Sequence, residues 1–164
     1  MKKLSCLLLT LVLVFSLMMG CSKKEEGYQI LINKLLSPQT YTSIKEEYPS
    51  EEYFEALKKG FGDHLDDQKF ISIISTAYRD VIIDKNITAV KDLKISDIKN
   101  DDKSDFNYIS CTVTYVYTNN DGKSFDMEDR FAFHVNKDDK TMSNIWVDWN
   151  NNSIFKLQRE IVRN

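Results

Sequence analysis

Glycine and proline are scarce in this chain, five and two among 164 residues, and histidine is scarcer still at two. So little glycine and proline excludes collagen-like and low-complexity architectures. Three cysteines cannot build a disulfide framework, and no spacing of Cys and His matches a zinc site. No glycine-rich phosphate loop is present. There is no excess of positive charge: 22 Lys and Arg stand against 25 Asp and Glu, for a net charge of -3. Nucleic-acid binding draws on a basic face that releases counterions, so that class is excluded. What remains is a chain with 42% hydrophobic and 29% charged residues, the balance of an ordinary single globular domain.

The first twenty residues are of a different kind. Lys2 and Lys3 are followed by an uncharged apolar run from Leu4 to Met19, closed by Gly20 and Cys21. The run is about 16 residues, shorter than the roughly 20 of a membrane-spanning helix. A positive start, an apolar stretch and a small residue at the end make a secretory signal. Met18-Met19-Gly20-Cys21 resembles a bacterial lipobox, with Met18 where leucine is usual. The resemblance implies cleavage before Cys21 and a diacylglyceryl group on its thiol, with 1–20 as signal peptide. Residues 21–27 then form the lipidated cysteine and a polar tether, and 28–164 the folded domain. Cleavage removes Lys2 and Lys3 and makes the mature surface more acidic. Attachment to the membrane would then rest on acyl chains rather than on charge. Cys6 falls in the leader and Cys21 carries lipid, which leaves Cys111 alone, in an apolar alternation that reads as core filler.

The mature chain starts helical and ends in strands. Tyr28 to Leu36 makes a short helix halted before Pro38. Ser50 before Glu51 and Glu52 is a helix start, and Tyr53, Phe54, Leu57 and Phe61 repeat at helical spacing up to Gly62. A further start at Asp66-Asp67 leads into Phe70, Ile74, Ala77, Tyr78 and Val81. Beyond Asp84 the period becomes two. Leu93 and Ile95 suggest a first strand and Asn100 to Asp105 a charged turn, which lacks the acid spacing of a calcium loop. From Phe106 to Thr118, Cys111, Val113, Tyr115 and Tyr117 alternate with threonines. Asn119 to Gly122 is a hairpin turn. Phe125, Met127, Asp129, Phe131, Phe133 and Val135 share one face of the returning strand. Lys137 to Lys140 turns into a last strand, Thr141 to Trp149, with Trp146 and Trp149 on opposite faces and one of them expected in the core. Ser153 is placed to cap a closing helix with Ile154, Leu157 and Ile161 inward. Helices segregated from a strand meander give an α+β class.

Helices before an antiparallel meander resemble the NTF2-like (cystatin-like) cone fold, a curved sheet of about four strands with a short C-terminal helix. Within it, Asn144-Ile145-Trp146-Val147-Asp148-Trp149 followed by Ser153-Ile154-Phe155 resembles the NTF2-like N-terminal domain of class B penicillin-binding proteins, over residues 28 to 157. In that family the domain is not catalytic, and the resemblance implies the same here. Transpeptidase chemistry needs a Ser-x-x-Lys nucleophile with a Lys-Thr-Gly strand. Ser96–Lys99 and Ser153–Lys156 share only the spacing of the first, Lys140-Thr141-Met142 lacks the glycine, and 164 residues leave no room for that domain beside this one.

Candidate chemistry is sparse. Asp129 on an apolar face and His134 on the same strand are the acid and base that a small pocket hydrolase or isomerase would use. His64 lies in a predicted loop. Trp146, Trp149, Tyr115 and Tyr117 offer large apolar area with a polar handle, as contact residues do. No cofactor or metal is expected. The reading that fits best is a lipid-anchored, non-enzymatic interaction module on the extracytoplasmic face of the cell membrane. Its partners would be the membrane through Cys21 and an envelope protein or wall component, with a role near wall synthesis implied by the resemblance. A pocket enzyme or a small-ligand carrier is the alternative.

Overall fold

A computed structural model describes residues 27–62, 65, 70–103, 105–138 and 141–163. Signal peptide, Cys21, tether, His64 and the predicted helix start at Asp66-Asp67 lie outside these residues. The order is α1 (Gly27–Leu36), α2 (Pro38–Thr42), α3 (Glu51–Phe61), a π-helical turn (Phe70–Ile74) continuing into α4 (Ser75–Asp84), β1 (Ile87–Asp102), β2 (Phe106–Asn119), β3 (Ser124–Asn136), β4 (Met142–Val147) and α5 (Ser153–Arg163). The strands form one open antiparallel sheet in the order β1-β2-β3-β4. The class is α+β, and the helices cover one face of the sheet.

The helix ends are satisfied much as the sequence predicts. Ser50 Oγ accepts from the Tyr53 amide at 3.1 Å and caps α3, a contribution of about 1 kcal/mol. At the other end of α3, Lys34 Nζ donates to the carbonyls of Gly60 and Phe61 at 2.8 and 3.1 Å, and Gly62 takes a φ of 90° that a side chain would resist. The last carbonyls of α1 are met by phenols: Tyr41 Oη donates to Leu35 O and Tyr117 Oη to Leu36 O. The chain then turns at Ser37, and Pro38 starts α2, a short helix that the periodicity does not reveal. A second stitch joins loop to helix: the Arg79 guanidinium lies over the Tyr48 ring at 3.6 Å, and Tyr48 meets Tyr53 edge-on.

The β2–β3 hairpin pairs without a slip from Phe106↔Asn136 to Thr118↔Ser124. Its turn is the predicted one, with Gly122 at φ 76° and Asn119 Oδ1 accepting from the Asp121 and Lys123 amides. β1 departs from expectation. It runs 16 residues, well beyond the Leu93–Ile95 segment, and continues through Asp102, so that the charged turn shrinks to the residues around Lys103 and Asp105. Register shifts between Lys91 and Lys94 and between Ser96 and Lys99 interrupt its pairing. Asp92 and Asp97 sit inside these shifts with φ of 53° and 51°. Each bulge adds a residue and inverts the alternation, so Leu93 is thrown outward while Ile95 packs on the core. As an edge strand that is bulged and lysine-bearing, β1 resists pairing with other chains.

The core lies between the helices and the inner sheet face. Leu31, Ile32, Leu35, Leu57, Phe70, Tyr78, Val81 and Ile82 from the helices meet Val113, Tyr115, Tyr117 and Phe133 from the strands. Burial pushes the phenols of Tyr41, Tyr78, Tyr115 and Tyr117 well above their ordinary value near 10. A group whose pKa is raised on folding stabilises fully below its unfolded pKa and loses that contribution as pH climbs. The denaturation midpoint is therefore expected to hold up to about pH 9 and to fall steeply above about pH 10. Circular dichroism melts across that range check this, and a flat midpoint through pH 11 contradicts it.

Candidate functional site

Two groups of polar and aromatic side chains stand on opposite sides of the sheet, because consecutive strand residues face opposite ways. The inner group centres on Asp129, which is fully buried. Its Oδ2 accepts from Tyr78 Oη at 2.7 Å and from Tyr115 Oη at 2.6 Å. Its Oδ1 accepts from the Ile154 amide at 3.2 Å. Burial raises its pKa, while these same donors pull it back down.

The donors explain how α5 is placed. β4 stops at Val147, opposite Phe131, so β3 residues before that point lack a strand on one side. Asn152 and Ser153 take its place with side chains. Ser153 Oγ accepts from the Glu128 amide at 3.0 Å. Asn152 Oδ1 accepts from the Arg130 amide at 2.8 Å, and its Nδ2 donates to the Arg130 carbonyl at 3.1 Å. The predicted cap residue is thus spent on the sheet, and the first turn of α5 is capped from across the fold by Asp129. Asp129 is a joint between α4, β2, β3 and α5, fully engaged by protein donors.

The outer group holds His134. Its ring lies 4.0 Å from that of Phe106 and 4.7 Å from that of Trp146, centroid to centroid, and 5.9 Å from that of Tyr108. Tyr108 and Trp146 are 6.1 Å apart. Asn144 Nδ2 reaches His134 Nδ1 at 3.4 Å. Asp129 faces in and His134 faces out, so the acid and base that a pocket enzyme would need do not meet. Tyr115 and Tyr117 also correct the sequence reading: at 2% and 0% exposure they are interior residues with no surface to offer a partner. Neither tryptophan is core. Trp146 is 46% exposed on the outer face and Trp149 is 47% exposed. Trp149 lies beyond the end of β4, its ring tilted against that of Phe155 at 4.1 Å, with its carbonyl accepting from Arg159. Phe106 and Tyr108 were missed as contact residues. Alternation alone puts both on the face of His134, but they stand at the start of a strand whose apolar face draws attention inward.

The rest of the outer face is polar. Ser110, Thr112 and Thr114 run along its middle, with Lys99, Ser96 and Lys94 beside them on β1. Ala132, Arg130 and Glu128 flank them on β3. Toward the hairpin, Thr114, Val116, Asp126 and Glu128 line an open groove of about 320 Å³. A second open groove, about 410 Å³, runs between the α1–α2 corner and β1, along Leu36, Pro38, Val90 and Leu93. Among the described residues no three of His, Cys, Asp and Glu converge as metal ligands would, and no helix is long and apolar enough to cross a membrane.

Cys111 sits on the inner face, and burial pushes its thiol up to about 11. No family model matches this chain, and no curated protein sequence matches it.

Two outcomes test the inner group. Asp129→Ala strands two buried phenols and one amide and is expected to cost about 3–5 kcal/mol of stability. Asp129→Asn keeps the shape but turns an N–H2 toward one of the donors, for a loss of about 1–3 kcal/mol. A raised carboxyl pKa favours the fold below the unfolded pKa and loses that contribution as pH climbs through the folded value, so the Asn variant is expected to lack this decline. Urea unfolding at pH 4 and pH 7 measures both. The Cys111 thiol is expected to resist a thiol reagent at pH 8 in the native protein and to react at once in denaturant.

Proposed function

We propose that this protein is a contact module held by lipid on the outer surface of the cell membrane, not an enzyme. The observation that carries the reading is the split of its polar groups. The acid that would do chemistry is locked in the core by three donors, while the aromatic and hydrogen-bonding side chains with free surface lie on the outer sheet face. An acid engaged in this way serves the fold, and exposed aromatic surface serves recognition. The lipobox-like Met18–Cys21 segment supplies the anchor, and two acyl chains suffice for stable attachment.

Four antiparallel strands with helices on one face agree with the order of the NTF2-like cone, and that is the fold we propose. By its resemblance to the NTF2-like domain of class B penicillin-binding proteins, the partner belongs to the wall-synthesis proteins. The groove along Thr114, Val116, Asp126 and Glu128 is where the partner would insert.

The test uses intact cells. A photo-crosslinking residue at Thr114 is expected to form an adduct with a wall-synthesis protein, and Cys21→Ser is expected to release the chain from the membrane fraction and abolish that adduct. Retention of the Cys21→Ser chain on membranes contradicts the anchor. An adduct-free Thr114 position in the anchored protein contradicts the contact role.

A further inference from the structure

The aromatic quartet Phe106, Tyr108, His134 and Trp146 stands together on the outer sheet face, with Trp146 46% exposed. Its place relative to the tether points to what it meets. The described chain starts at Gly27, where a Cβ would stand 3.7 Å from Met142 Cε. The next residue, Tyr28, has its ring 6.0 Å from that of Phe133. Met142 opens β4 and is paired with Val135. Ser143, the next residue, pairs with His134, and Trp146 pairs with Ala132. Phe106, opposite Asn136, closes the same end of the sheet. The tether therefore leaves the fold from the inner face, at the same end of the sheet as the quartet on the outer face.

Only residues 22–26 separate Cys21 from Gly27. Fully extended, that stretch spans at most about 20 Å. A diacylglyceryl group on Cys21 thus keeps this end of the sheet within one short tether of the bilayer surface. The quartet has the composition of the interfacial zone. Indole and phenol each join a flat apolar body to one polar atom, and Trp and Tyr concentrate at headgroup depth for that reason. Such contact needs no net positive charge, which the acidic mature chain does not have.

We propose that the quartet is a second membrane contact: the outer face at the Phe106–Trp146 end rests in the lipid headgroup layer. It stands the sheet on that end, so that the Thr114–Glu128 groove, toward the opposite end of the same face, is held clear of the bilayer. This inference rests on lipidation at Cys21 as proposed above.

The chain has two tryptophans, so single-tryptophan variants read the contact directly. The full lipidated chain, extracted from membranes, is reconstituted into phosphatidylglycerol–phosphatidylethanolamine vesicles with bromine on the upper acyl carbons. Mass spectrometry of the same sample records whether Cys21 carries lipid. With Trp149→Phe, emission of Trp146 is expected to shift to shorter wavelength and to lose the larger part of its intensity. With Trp146→Phe, emission of Trp149 is expected to change little. In the unsubstituted chain the two residues report together, so a variant that fails to fold does not remove the test. Lipid on Cys21 with no quenching of Trp146 overturns the proposal, leaves the anchor standing and frees the quartet for a protein or glycan partner. Equal quenching of Trp149 overturns the assignment to the outer face. An unmodified Cys21 overturns the anchor and this inference with it.

Discussion

The fold turns on one buried carboxylate. Asp129 sits where two tyrosine hydroxyls and the first turn of the last helix all need an acceptor, and it serves the three at once. Tyr78 comes from α4, Tyr115 from β2 and Ile154 from α5, so one side chain ties helix layer, sheet and closing helix together. Burial opposes the charge and the donors support it, and that balance makes the joint costly to break from either side.

That joint also gives Asp129 its role in the fold. An acid on an apolar strand face has two readings, a catalytic group in a pocket or a structural acceptor in the core. The difference lies in what fills the space before it. Here Tyr78 and Tyr115 hold the space before it, and His134 on the same strand faces the other way. The aromatic and hydroxyl side chains on the other face of the sheet are the surface on which the proposed contact role rests. With the aromatics near the tether and the polar groove at the hairpin, that face is divided along its length. Such a division suits the attitude on a bilayer proposed above.

Much of the secondary structure was legible because its signals are local. Ser50 before two acids, the helical repeat of Tyr53, Leu57 and Phe61, and Asn-Asp-Gly at the hairpin all act within four residues of themselves. The inward apolar face of β2 and β3 followed from strict alternation. β1 was largely invisible because two bulges reset its period, and aspartates rather than glycines carry the positive φ. Ser153 was misread as a cap because a β3 amide, twenty-five residues away, had a prior claim on its hydroxyl. Trp149 was placed in a strand that ends two residues earlier, where β3 passes from β4 to α5.

By itself the sequence determined the α+β class, the hairpin and the apolar faces, since periodicity and turn chemistry depend on near neighbours along the chain. Only the tertiary structure decided that Tyr115 and Tyr117 are core and that both tryptophans are exposed. It alone parted Asp129 from His134 and gathered Phe106, Tyr108, His134 and Trp146 into one patch. These are facts about pairing between strands and about which side of a sheet the helices cover. Register and burial are set by residues far apart in sequence, and no local pattern carries them.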